Sequence, residues 1–158
     1  MALDKEIVSE VIACARFGEL DELKSYIDQY SAAYLVEKDE YGNTALHMAS
    51  ANGHLEIVEY IIQKLGSSAS DIINAQNDSG NTALHWSALN GHQTIVEVLI
   101  THGVNAKIKN TAGRTAISEA QQNGHEQTVE YLLSVVDPTN GNENPEEEKD
   151  VNMVGTGE

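Results

Sequence analysis

Cysteine is almost absent from this 158-residue chain: Cys14 stands alone. An internal disulfide is therefore excluded, which suits a reducing compartment, and on a predicted cap helix a small packed side chain is expected in preference to a reactive thiol. No apolar run approaches the roughly 20 residues of a membrane span. The opening Met-Ala-Leu-Asp-Lys-Glu lacks the charged and apolar regions of a signal peptide, so no secretory leader is expected and the Asn77-Asp78-Ser79 sequon reads as chance. Cations are scarce too, with 9 Lys and Arg against 25 Asp and Glu, a formal charge of −16. Such a surface repels nucleic acid and anionic membranes and attracts cationic proteins. Also missing are a phosphate-binding Gly loop, Gly-x-Ser-x-Gly and His-Glu-x-x-His, and the carboxylates read as solvated faces rather than acid/base pairs. No enzyme, cofactor or metal is expected.

What the chain does contain is a repeated phrase. Gly42-Asn43-Thr44-Ala45-Leu46-His47 returns as Gly80-Asn81-Thr82-Ala83-Leu84-His85 and, degraded, as Gly113-Arg114-Thr115-Ala116-Ile117-Ser118. Each copy is followed, nine residues after its Thr, by the Gly of Asn52-Gly53-His54, Asn90-Gly91-His92 or Asn123-Gly124-His125. The steps from Thr44 to Thr82 and from Thr82 to Thr115 are 38 and 33 residues. Self-similarity at such a period defines a stack of supersecondary units.

Each part of the phrase has a physical reading. The leading Gly suits a tight turn and the Thr an N-cap, the apolar residues after it line a short inner helix, and the second Gly ends that helix in a left-handed turn. Leu55, Ile57, Val58, Ile61 and Ile62 then recur with helical period as an outer helix, as do Ile95, Val96, Val98, Leu99 and Ile100, and Val129, Leu132 and Leu133. Toward the N-terminus, Asp4 is placed to cap a helix carrying Ile7, Val8, Val11 and Ala15, Arg16-Phe17-Gly18-Glu19-Leu20 copies the turn, and Leu20, Leu23 and Ile27 mark its outer helix.

A 33-residue step with Thr-x-Leu-His and a Gly-His turn resembles the ankyrin-repeat family over residues 39 to 136. The departure is Ala45, Ala83 and Ala116 where the family usually has Pro, a change that loses some rigidity at the helix entry. The fold expected from the resemblance is an all-α ankyrin solenoid of about four helix-turn-helix repeats with turn-tip fingers. Residues 1–136 form the domain, with repeats at about 4–37, 38–75, 76–108 and 109–136, the outer two acting as caps. More polar residues are expected on an open end of a stack, and Ser118, Glu119, Gln121 and Gln122 replace His85, Trp86, Ala88 and Leu89 in the last repeat. The five extra residues near Gly66–Ile73 read as an enlarged loop or an added helical turn; a tolerated extension carries more weight than a contact element.

Residues 137–158 change in character, with Pro138, Pro145, Asn and Glu prominent, and are expected to be a disordered tail of net charge −6, leaving −10 on residues 1–136. The histidines, translated along the stack by roughly 10 Å per repeat, do not converge and are read as structural; only His102 lies outside the phrase.

What a stack offers is a concave face of turn tips and inner helices. The resemblance implies that this face binds proteins. Carried onto this chain, the expected binding residues are Asp39, Glu40, Tyr41 and Asn43, then Asp78, Ser79 and Asn81, then Arg114 at the tips, with Asn52, Leu89 and Asn90 at the inner-helix ends. Trp86 shares a helix position with Met48 and is expected to be packed or partly at the surface.

Within the family, the acidic four-repeat layout, with Met48 and Trp86 after the two Leu-His pairs and a Glu-rich end, is similar to the fungal ankyrin-repeat chaperones of the small-subunit KH-domain ribosomal protein. That resemblance implies a monomer of cytoplasm and nucleus, with a basic small-subunit ribosomal protein as partner and neither nucleic acid nor membrane bound directly. The competing reading is an ankyrin adaptor or inhibitor of a signalling or cell-cycle protein using the same face.

Overall fold

Thr44, Thr82 and Thr115 all adopt extended backbone, with φ between −96° and −89°, and their side chains accept from the backbone N–H three residues on. These caps start the inner helices α3 (Ala45–Ala51), α6 (Ala83–Leu89) and α8 (Ala116–Gln122). Asp4 does the same for α1 (Lys5–Phe17), its Oδ1 accepting from Glu6 N at 2.8 Å. The outer helices are α2 (Leu20–Gln29), α4 (Leu55–Leu65), α7 (Gln93–Thr101) and α9 (Glu126–Val136), with α5 (Ala69–Ile73) between the second and third pairs. The chain is seen in a computed structural model that describes residues 3–136; the tail expected at 137–158 lies outside the described residues. Among the described residues the secondary structure is helical throughout, with no strand.

The four helix pairs stack through one continuous apolar core. Leu23, Leu35, Leu46, Ile61, Leu84, Leu99 and Leu132 are fully buried, each contributing roughly 1.5–3 kcal/mol on burial. Cys14 is buried in this core, and burial pushes its thiol up to about 11, which disfavours the thiolate. The insertion is an added helical turn: a 3-10 turn at Gly66–Ser68 leads into α5, whose Ala69, Ile72 and Ile73 are buried. A second 3-10 turn, Ala32–Val36, buries Tyr34 and Leu35 between the first two pairs, a piece without helical periodicity in the sequence.

Histidines tie neighbouring repeats in two opposite directions. Thr44 N donates to His47 Nδ1 at 3.1 Å, so the ring proton sits on Nε2, which donates forward to the carbonyl of Asn81 at 2.9 Å. His85 repeats this with Thr82 N and the carbonyl of Arg114. The Gly-His histidines reach backward: Nε2 of His54, His92 and His125 donates to the carbonyls of Arg16, Ala51 and Leu89. Burial holds the His47 and His85 imidazoles below their ordinary pKa, as their neutral acceptor role requires. The His102 ring bonds Val98 O of the preceding helix and meets no other repeat among the described residues.

Candidate protein-binding face

Three fingers precede the inner helices, at residues 39–43, 77–81 and 110–114, each closed by a backbone bond between its ends, such as Asp39 N to Asn43 O at 2.9 Å. Adjacent fingers are joined by Asp78 N to Tyr41 O and Thr111 N to Ser79 O, both 3.0 Å. Their registry depends on close approach. A Cβ on Gly42 would lie 2.9 Å from Asp78 N, and the backbone φ there is +81°. Glycine meets both demands.

This arrangement sorts the expected binding residues into tips and supports. Glu40, Tyr41, Asp78, Ser79 and Arg114 are exposed, with Tyr41 at 62%. Asp39 is half-buried and organises its finger instead of waiting for a cationic partner: Oδ1 accepts from the backbone N–H groups of Tyr41 and Asn43 at 2.9 and 2.8 Å. Asn77 and Asn110 occupy the same position and make the same pair of bonds.

Asn43 and Asn81 link the fingers to one another. Asn43 is buried, and its Oδ1 accepts from Asn77 Nδ2 at 2.8 Å; Asn81 Oδ1 accepts likewise from Asn110 Nδ2 at 2.9 Å. These amides form a ladder beneath the fingers. Asn52 and Asn90 are exposed, yet their Nδ2 groups close helix ends by donating to Met48 O and Trp86 O, and Asn90 also donates to Ala51 O in the preceding repeat. Glu119, expected on the polar end face, is 6% exposed: Asn110 Nδ2 donates to it at 2.8 Å and the Arg114 guanidinium lies 3.9 Å away.

Met48 and Trp86 are half-buried in the floor, with Leu89 beside them; the Trp86 indole N–H is enclosed and finds no acceptor among the described residues. Arg16 reaches the same floor, its Nη2 4.0 Å from Met48 Sδ. Next to it Phe17 is 65% exposed at the open end of the row. In the sequence Phe17 reads only as part of a turn. Its signal was available: the chain's single Phe stands where the other three repeats carry Asn52, Asn90 and Asn123.

Electrostatically, the face combines carboxylates on the first two fingers with an apolar floor. Among the described residues no group of three His, Cys, Asp or Glu side chains is placed to hold a metal ion. The geometry is that of a helical-repeat stack with a row of exposed finger tips beside a half-buried apolar floor.

The ankyrin-repeat family, as three copies, matches residues 65–144, and a single ankyrin repeat matches 41–78; the chain belongs to this family. Among curated proteins it is 40% identical over 75 residues to the ankyrin repeat-containing protein YAR1 of Saccharomyces cerevisiae, covering 44% of this chain and 38% of that protein. It is 41% identical over 69 residues to an ankyrin repeat-containing protein of Schizosaccharomyces pombe, covering 44% of each. The matched stretch thus spans less than half the length of either relative. A solved structure, that of the yeast ribosomal protein Rps3 in complex with its chaperone Yar1, matches with a TM-score of 0.79 and 39% identity, over 84% of this chain and 95% of that one.

Proposed function

We propose that this chain is a dedicated chaperone of a basic small-subunit ribosomal protein, the Rps3 counterpart, and that it acts by binding and not by catalysis. The observation that carries the reading is the pairing of an acidic finger row with a fold similar, along nearly all of the matched chain, to a structure containing Yar1 and its client. A newly made ribosomal protein presents a cationic RNA-binding surface before any RNA is there to cover it. Glu40 and Asp78, exposed on the fingers, together with the half-buried Met48, Trp86 and Leu89 of the inner helices, supply a complementary surface that covers such a patch. The seven carboxylates of residues 137–158 add long-range attraction. Ribosomal RNA, or the assembling particle, competes for the same basic surface and so releases the client. The chaperone works as a monomer in cytoplasm and nucleus.

Calorimetry of the full chain with the small-subunit KH-domain ribosomal protein, at low and high salt and against an equally basic ribosomal protein, tests the proposal. Tight binding of the first alone, weakened by salt, is expected; equal binding of both leaves only a generic acidic sponge. The adaptor reading draws on the exposed aromatics Phe17 and Tyr41, which suit an apolar partner. It predicts no binding to the ribosomal protein.

A further inference from the structure

The finger row changes sign along its length. The first finger and the Lys before it carry Lys38, Asp39 and Glu40, and the second carries Asp78, each summing to −1. The third carries Arg114 behind Lys109, with Lys107 on the approach: three of the eight cations of residues 1–136 lie within eight positions.

Structural duty explains the residues at these positions in the first two fingers but not in the third. Lys38 Nζ donates forward to Gln76 O at 3.1 Å, and Gln76 Nε2 donates forward to Lys109 O at 3.2 Å. Lys109 occupies the same place with no further finger among the described residues. Asn43 and Asn81 accept from the next finger's Asn, whereas Arg114 at that position meets no further finger among the described residues and keeps 44% of its side chain exposed. Glu119 offsets part of the Arg114 charge, but it also accepts from Asn110, and Lys107 and Lys109 have no ion-pair partner among the described residues. Fingers sit roughly 10 Å apart at helix-packing distance, comparable to the Debye length of about 8–10 Å near physiological salt. A bound chain therefore senses each finger's sign separately.

We infer that the third finger, through Lys109 and Arg114, is a specificity element that rejects uniformly basic chains. The face fits a client segment whose Lys and Arg residues lie opposite Glu40 and Asp78 and give way, within about two helical turns, to a carboxylate opposite the third finger. A repulsive component of this kind sharpens discrimination among many basic proteins, which attraction to acid alone does not separate. The inference rests on the chaperone reading and names the kind of segment that its site takes.

The test uses the full chain as wild type and as Lys109→Glu/Arg114→Gln, with Lys109→Gln as a milder variant. Affinities are measured near 0.1 M salt for the KH-domain ribosomal protein and for a 20-residue lysine homopolymer. The Arg114 contact to His85 is through its backbone carbonyl and survives substitution. The double variant is expected to bind the homopolymer about tenfold tighter and the ribosomal protein no tighter, with the milder variant between and the gap closing in high salt. An unchanged ratio of the two affinities, with the wild type binding the ribosomal protein, overturns this inference alone. No binding of the ribosomal protein by the wild type removes the chaperone reading and this inference with it.

Discussion

The two internal repeats differ from the two terminal ones where a neighbour is missing. Inner-helix histidines reach forward; the last described repeat has Ser118 where His85 stands, and among the described residues its Oγ meets Thr115 Oγ1 at 3.3 Å. Turn histidines reach backward; the first described repeat has Glu19 where His54 stands in the next. Among the described residues, each end position lacks the histidine that would reach into a further repeat; Ser118 is half-buried and Glu19 exposed, so an imidazole at either place would gain no inter-repeat acceptor there.

The largest expected effect comes from breaking an internal tie. His85→Ala removes the acceptor for Thr82 N, strands the Arg114 carbonyl and leaves a buried void, and should cost about 2–4 kcal/mol in urea unfolding. A loss below about 1 kcal/mol would mean the imidazole ties are incidental.

Glycines sharpen the same contrast. Gly91 and Gly124 have φ of +72° and +76°, yet a Cβ on Gly91 would lie 2.6 Å from the His125 ring, whereas Gly124 meets nothing within 4 Å. Gly124→Ala should cost only the left-handed backbone penalty, about 1–2 kcal/mol, and Gly91→Ala should cost more by displacing His125. Equal thermal shifts would contradict the role of the following repeat.

Acid acts on the internal histidines next. Their folded pKa values lie below the ordinary 6.5, so the unfolded chain binds more protons as pH falls through that value. Their contribution is whole above about pH 7.5, declines from 6.5 down to the depressed folded value, and is then lost. Urea titrations between pH 7.5 and 5 should show this fall, and replacing both His47 and His85 by Gln should flatten it. Smallest of all is Ser118→Ala, expected to change stability by less than about 0.5 kcal/mol because the backbone cap from Thr115 remains.

Much of this architecture was legible because the phrase specifies local chemistry. Thr caps, glycine turns and apolar periodicity each act within a few residues, so the helix pairs follow from sequence. The added turn at α5 was one of two readings of the insertion, and burial of Ile72 and Ile73 decides for it. The site was less legible. Asp39, Asn43 and Asn81 look like free polar tips until the fingers are stacked, because the bonds that occupy Asn43 and Asn81 come from residues about 30 positions away. Glu119 reads as a polar cap until Asn110 and Arg114 are brought to it. Phe17 was hidden by serving as a turn residue in the same motif.

These bonds change how the acidic face must be tested. Reversing Asp39 would dismantle the first finger and confuse folding with recognition, whereas Glu40 and Asp78 are exposed and leave the finger's Asx turn intact. The decisive measurement is the affinity of full-length Glu40→Lys/Asp78→Asn for the small-subunit KH-domain ribosomal protein, alongside the thermal melt of the variant. A loss of at least about tenfold at low salt, with an unchanged melt, is the predicted result; wild-type affinity in a variant that binds and folds normally would contradict recognition by the acidic fingers.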